Sequence, residues 1–216
     1  MFLTFKWLIR LCFVATLVGV AAPAGAAKGT SELDAVASKC SDGERESLLL
    51  SAQKGDAEAM YELGATYLSQ DCPVEKRHKA KVWLMSAVET GHTRAAMALG
   101  LYYLLEEDDN KRGYVYLRIA AEDGHAEAQH YFGMMMLDPS TPFGNRDEGL
   151  IWLGTASSNG SALSALILGL IHDHGLKGVA QDACAAMDWY EASLLLGLPD
   201  GHVRLRQLAS DLKHDC

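Results

Sequence analysis

Residues 160–197 read GSALSALILGLIHDHGLKGVAQDACAAMDWYEASLLLG, and this stretch decides how the chain folds. It opens on Gly160, places Leu168-Gly169 nine residues on, and sets Trp189 eight residues before the next opening glycine, Gly197. The same frame opens at Gly55, Gly91 and Gly124, with Leu63-Gly64, Leu99-Gly100 and Phe132-Gly133 as the inner pair and Trp83, Tyr116 and Trp152 as the aromatic. Gly197 begins a fifth, incomplete copy, and the opening glycines are 36, 33, 36 and 37 residues apart. A period of this size marks stacked helical hairpins, because one hairpin cannot bury its own apolar face without a neighbour.

The frame predicts a first helix after each opening glycine, over 56–69, 93–105, 126–137 and 162–173, and a second helix over 79–89, 112–122, 147–158 and 183–195. Small residues recur on the first helix: Ala59 and Gly64; Ala95, Ala96 and Gly100; Ala128 and Gly133; Ala165 and Gly169. Glycine inside a helix costs about 1 kcal/mol relative to alanine. Its return at one register requires a partner too close for a Cβ, and the aromatic-bearing second helix is the simplest candidate. Each second helix ends near an opening glycine, which suits a left-handed C-terminal cap. The segments 70–77, 106–111, 138–146 and 175–182 between paired helices are turn-rich or charged.

These residues resemble the Sel-1-like repeat family, a branch of the tetratricopeptide-type helical solenoids. The fourth copy carries the resemblance best, with Leu168-Gly169, Gly175, Gly178-Val179, Asp182, Ala186, Trp189-Tyr190 and Gly197; the third departs from it, with Met134-Met135-Met136 and a loop holding Pro139 and Pro142. The resemblance implies an all-α, right-handed α/α solenoid of four helical hairpins with N- and C-terminal capping helices. The expected division is a signal segment over 1–26, a linker and capping helix over 27–54, repeats over 55–90, 91–123, 124–159 and 160–196, and a capping helix over 197–216. Arg206 stands where the frame would place glycine, so no second helix is expected against the last one.

The first 26 residues are expected to lie outside the fold. Lys6 and Arg10 precede an apolar run, and Ala24-Gly25-Ala26 then fits an A-x-A cleavage site, the pattern of a secretory signal. Cys12 lies inside the run rather than at its end, where a lipoprotein needs it. Cleavage removes two positive charges and takes the net charge from −9 to about −11. No basic stripe interleaved with aromatics is present, which argues against nucleic acid, and an anionic membrane surface repels such a chain. The most apolar later run, 163–171, is too short to span a bilayer. The expected address is therefore periplasmic or secreted, with no stable membrane insertion after cleavage.

Four cysteines remain: Cys40, Cys72, Cys184 and Cys216. An even count in an exported chain favours disulfides, with three connectivities open. Antiparallel neighbours bring the start of one helix beside the end of the next. That relation holds for Cys40 near the start of a helix over 43–53 and Cys72 past the following one. It holds equally for Cys184 and Cys216, so the expected pairs are Cys40–Cys72 and Cys184–Cys216. By loop entropy each bridge adds about 3–4 kcal/mol, the mechanism being model-dependent. No C-x-x-C motif suggests redox chemistry.

Candidate catalytic and metal groups have simpler structural readings. His172-Asp173-His174 lacks a third ligand nearby, and His172 falls where the earlier repeats carry Tyr67 and Tyr103, a packing position. His92 and His125 follow opening glycines and belong to the frame. The three consecutive methionines suit an adaptable core better than a copper site. The acidic runs 71–75 and 106–109 read as solvated loops, and no serine sits in a G-x-S-x-G context. No catalytic residue, metal site or cofactor is assigned.

The inner face of the first helices is the expected binding groove. Positions three, six and ten after each opening glycine are Glu58, Tyr61 and Ala65; Arg94, Met97 and Leu101; Glu127, His130 and Met134; Leu163, Leu166 and Leu170. On this register the groove passes from mixed polar to wholly apolar, and an exposed apolar strip of that extent marks a binding site unless the C-terminal helix folds over 163–170. The resulting expectation is a non-catalytic module that holds a protein or peptide partner of the cell envelope. The resemblance implies regulatory, scaffolding or immunity roles. The alternative it raises is the cysteine-rich Sel-1-like type that binds or slowly hydrolyses β-lactams, but that type carries closely spaced cysteine pairs within each repeat, which this chain lacks.

Overall fold

The computed structural model describes residues 46–69, 72 and 77–212. The expected signal segment and linker up to residue 45, Cys40 and Cys216 lie outside them. The described residues form ten α-helices: α1 Glu46–Gln53, α2 Ala57–Leu68, α3 Arg77–Glu89, α4 Thr93–Leu105, α5 Asn110–Glu122, α6 Ala126–Met136, α7 Arg146–Ser158, α8 Ala162–His174, α9 Ala183–Leu195 and α10 His202–Leu212. Short 3-10 turns at Leu176–Gly178 and Pro199–Gly201 precede α9 and α10. The chain divides into two compact units, Met1–Ile119 and Ala120–Cys216.

Two kinds of glycine set the hairpins. Gly55, Gly91, Gly124, Gly160 and Gly197 all have φ between 85° and 99°, and a Cβ on any of them would meet nothing within 4 Å. They are there for the left-handed backbone that turns one helix into the next. The residue after each of the first four caps the following helix. Asp56 accepts from the Glu58 and Ala59 N–H groups at 3.0 and 3.2 Å, His92 from Ala95 at 3.1 Å, His125 from Ala128 at 3.4 Å and Ser161 from Ser164 at 3.3 Å.

The inner glycines serve space instead. A Cβ on Gly64 would lie 2.6 Å from Leu84, on Gly100 2.9 Å from Leu117, on Gly133 3.1 Å from Leu153 and on Gly169 2.6 Å from Tyr190. The second helix is the close partner, as the frame implies, through the residue after the aromatic. One turn earlier on that helix stand Ala80, Gly113, Gly149 and Ala186, so both helices are small at the crossing. In repeat two a Cβ on Gly113 would in turn lie 2.5 Å from Leu104.

The first unit packs Tyr61, Tyr67 and Leu68 of α2 against Ala80 and Leu84 of α3 and Ala95, Ala98 and Leu99 of α4. In the second, Leu137, Leu153, Leu168 and Ile171 form one core, and Ala186, Tyr190 and Leu208 form another beneath α10. Second helices begin two residues earlier than the frame suggests in α3 and α5. Asp109 explains α5: its carboxylate accepts from the Arg112 N–H at 2.9 Å and from Arg112 Nε at 2.7 Å. The loop acids are also more than solvated, since Glu106 pairs with Arg77 at 2.9 Å and Glu107 with Lys81 at 2.6 Å. Cys72 and Cys184 are disulfide-bonded; the expected partners Cys40 and Cys216 lie outside the described residues.

Candidate functional site

In the first unit, four side chains of α2 and the α4 N-terminus form one polar cluster. The Ala95 N–H donates to His92 Nδ1, which leaves the hydrogen on Nε2, and Nε2 donates to Glu58 Oε2 at 2.9 Å. Arg94 Nη1 donates to Glu58 Oε1 at 3.1 Å. The Arg94 guanidinium lies 4.4 Å from the Tyr61 ring centroid, and Tyr61 stacks on the His92 ring at 4.9 Å. The hydrogen bond from His92, helped by the charge of Arg94, holds the Glu58 carboxyl below the usual carboxylate range. Glu58 and Arg94 remain about half exposed at 53% and 51%. Arg94 Nη2 also donates to Tyr61 OH at 3.4 Å, so cation–π, ion-pair and hydrogen-bond contacts together hold a half-exposed arginine over the tyrosine face.

The other expected groove residues divide sharply, and several expectations of exposure are corrected. Tyr61, Met97, Leu101 and His130 are buried, at 6%, 7%, 1% and 6%. For Tyr61 and His130 the cause is the neighbouring first helix. Tyr61 faces α4, and His130 Nδ1 lies 2.8 Å from Ser164 Oγ on α8. Every residue of α4 from Ala95 to Leu104 is buried, the pattern of a helix apolar all round. In the second unit Glu127 is exposed and Met134 is half-buried against the Leu153 and Leu168 core. Leu163 is half-buried, Leu166 packs with Leu205 and Leu208 of α10, and Leu170 stays 39% exposed. No continuous apolar strip is open along 163–170: the last helix covers its middle.

The remaining candidates also find their places. Asp173 is 1% exposed and receives Arg204 Nε at 2.5 Å, Arg204 Nη2 at 2.7 Å and Tyr190 OH at 3.1 Å, so its carboxyl is held below its ordinary range, chiefly by the arginine. His172 is half-buried, as a packing position requires, although its Nδ1 has no partner. Met135 and Met136 are core, at 0% and 3%. The Ser164–His130 pair is sealed, with Ser164 at 0% and burial lowering His130 to a pKa of about 4. Among the described residues no group of three His, Cys, Asp or Glu side chains is placed to hold a metal ion. None of their helices is long and apolar enough to cross a membrane.

Two elements escaped the sequence reading. His92, assigned to the frame, is also the donor that orients Glu58. Asp173 anchors the final helix. A signal for the first existed: Glu58 and Arg94 hold opposite charges at one register of adjacent repeats. None pointed to Asp173–Arg204, whose partners are 31 residues apart and outside the frame.

Comparison with solved structures matches this architecture to a Sel1 repeat protein from Oxalobacter formigenes, at 25% identity and a TM-score of 0.62, over 81% of this chain and 73% of that one. The protective antigen c5321 of uropathogenic Escherichia coli, which displays an SLR fold, matches at 23% identity and a TM-score of 0.64, over 96% of this chain but 42% of its own length. The immunity protein Pa5087 of Pseudomonas aeruginosa matches more loosely, with a TM-score of 0.47 and 15% identity over 88% of this chain and 89% of that one. No family model matches, and the search of curated proteins finds no match.

Proposed function

We propose, from the premise that this chain is a Sel1-like repeat protein with an α/α solenoid fold, that it is a non-catalytic module binding a protein or peptide partner through its first helices. The observation that carries this reading is the Glu58–His92–Arg94–Tyr61 cluster. Its arginine is exposed yet already ordered, which lowers the entropy lost on binding, and Tyr and Arg are the residues on which interfaces concentrate their energy. The partner so recognised presents a carboxylate or another acceptor to the exposed part of Arg94.

The proposed address is the periplasm or the exterior, supported by the 1–26 segment and by disulfide bonding of Cys72 and Cys184. Cys40–Cys72 and Cys184–Cys216 are the proposed pairs. Regulation of an envelope sensor, scaffolding of an envelope assembly and neutralisation of a secreted effector all use such a module.

The test is capture from envelope and secreted fractions with two oxidised baits, the native chain and Glu58→Arg/Arg94→Glu. The exchange keeps the ion pair within the fold while reversing what each register offers. A partner held by the native bait and lost by the exchanged one supports the reading. A partner indifferent to the exchange, or none, removes it. Substitutions at Met134 or Leu166 cannot serve, because both side chains pack into the fold.

A further inference from the structure

The two residues before an opening glycine close a helix in solvent, and they are polar and exposed as Gln53-Lys54, Glu89-Thr90, Glu122-Asp123 and Ser158-Asn159. The last copy breaks that rule. Leu195-Leu196 precede Gly197 and stay 80% and 41% exposed. Pro199 is exposed beside them, and Val203 is 70% exposed. Val203 holds position six after Gly197, the register at which Tyr61, His130 and Leu166 each meet the following first helix. Among the described residues no first helix follows α10. Because α9 ends and α10 begins at this turn, the four apolar side chains share one end of the pair. Apolar groups gathered in water, at registers that are elsewhere polar or covered, mark an interaction surface.

The charges flanking this patch indicate what covers it. On the exposed face of α9, Glu191 stands one turn before Leu195, with Asp188 a turn earlier; on α10, Arg206 stands one turn after Val203. All three are exposed, and none forms an ion pair among the described residues. The patch therefore has acid on one flank and base on the other. A two-fold rotation about the leucines exchanges the flanks, so the acid of one copy meets the base of the second. The net charge of −9 makes two copies repel in most other orientations. The chain's own tail is a poor alternative, since the proposed Cys184–Cys216 pairing leads it to the start of α9, away from Leu195.

We propose that this end of the α9–α10 pair is the interface of a two-fold dimer of the chain, with Leu195, Leu196, Pro199 and Val203 of both copies at its centre and Glu191 of each copy facing Arg206 of the other. Each copy gives and receives the same contacts, so the assembly closes at two. The proposal is independent of the first-helix reading, whose Glu58–Arg94 cluster belongs to the other compact unit.

Sedimentation equilibrium of the full oxidised chain over a dilution series is expected to show monomer and dimer and nothing larger. Leu195→Glu places an acid at the centre of the patch and should leave monomer throughout the series. Glu191→Arg and Arg206→Glu each set like charges face to face and should each raise the dimer Kd at least ~10-fold. These side chains are exposed, so the circular dichroism of every variant should match that of the native chain. Mixing the two charge variants should restore association to near the native Kd, because across a two-fold axis each then meets an opposite charge. A native chain that stays monomeric, a dimer indifferent to Leu195→Glu, or a mixture as weak as its components overturns the proposal. Species that grow beyond the dimer with concentration overturn it as well, since they require head-to-tail contacts. Each of these failures leaves the first-helix reading to its own capture test.

Discussion

A Cβ on Gly100 would sit 2.9 Å from the Leu117 backbone nitrogen, whereas one on Gly154 would find its nearest neighbour, Trp189, at 3.9 Å. Both glycines are helical, so alanine gains about 0.5–1 kcal/mol of helix propensity at either. At Gly154 nothing opposes that gain, and Gly154→Ala is expected to stabilise by about that amount. At Gly100 the crossing helix must move, at an overpacking cost of about 1–3 kcal/mol, and Gly100→Ala is expected to destabilise. Urea unfolding of the two variants checks the contrast; shifts of the same sign would refute the assignment of the inner glycines to space. His130 gives a pH-dependent prediction. Its pKa falls to about 4 in the fold from 6.5, through burial of the imidazole. Between those values the unfolded chain binds the proton that the folded one refuses. Stability is therefore complete above pH 6.5 and declines by about 3 kcal/mol as pH falls to 4. His130→Met, which places there the residue repeat two carries as Met97, should lose this component of the acid sensitivity. Unfolding free energies at pH 7.5 and 4.5 decide it.

At the scale of the helix, the capping residues differ in quality although they hold one register. Asp56 receives two backbone N–H groups, while His125 receives one at a long 3.4 Å. Asp56→Ala is expected to cost about 1 kcal/mol. His125→Asp should add about 0.5 kcal/mol by placing an anionic acceptor at the positive end of α6. Thermal unfolding of both variants tests the ranking. His92 is unsuited to such improvement, because the ring that caps α4 also donates to Glu58. The helix scale also explains the buried groove positions. Position six after the opening glycine meets the following first helix: Tyr61 against α4, His130 against α8, Leu166 against α10.

For the whole molecule, the two described disulfide cysteines give the broadest prediction. Cys72 and Cys184 belong to different units, and in the proposed pairing with Cys40 and Cys216 each bridge would close a loop of the length that adds about 3–4 kcal/mol in the chain-entropy account. Reduction should lower the denaturant midpoint; an unchanged midpoint would deny the bridges a stabilising role. Peptide mapping of unreduced protein should join Cys40 to Cys72 and Cys184 to Cys216. A fragment linking Cys40 to Cys184 would refute the pairing. The fold was legible at this scale because a repeated frame states its rule four times. The site was less so: Glu58, Arg94 and Glu127 are exposed as their register implies, while Tyr61, Met97, Leu101 and His130 are not.

Sequence by itself determined the hairpins, their glycine turns and the helix that crosses each inner glycine. Those features depend on backbone φ, on the absence of a Cβ and on a period, all of which are properties of residues near one another in the chain. Only the tertiary structure decided which polar groups act together. The Glu58–His92–Arg94 cluster and the Asp173–Arg204 fork join side chains 31 to 36 residues apart, and their hydrogen bonds depend on how neighbouring helices bring donor and acceptor within 3.1 Å. Exposure was decided in the same way, because a side chain is buried by the helix that comes to lie on it.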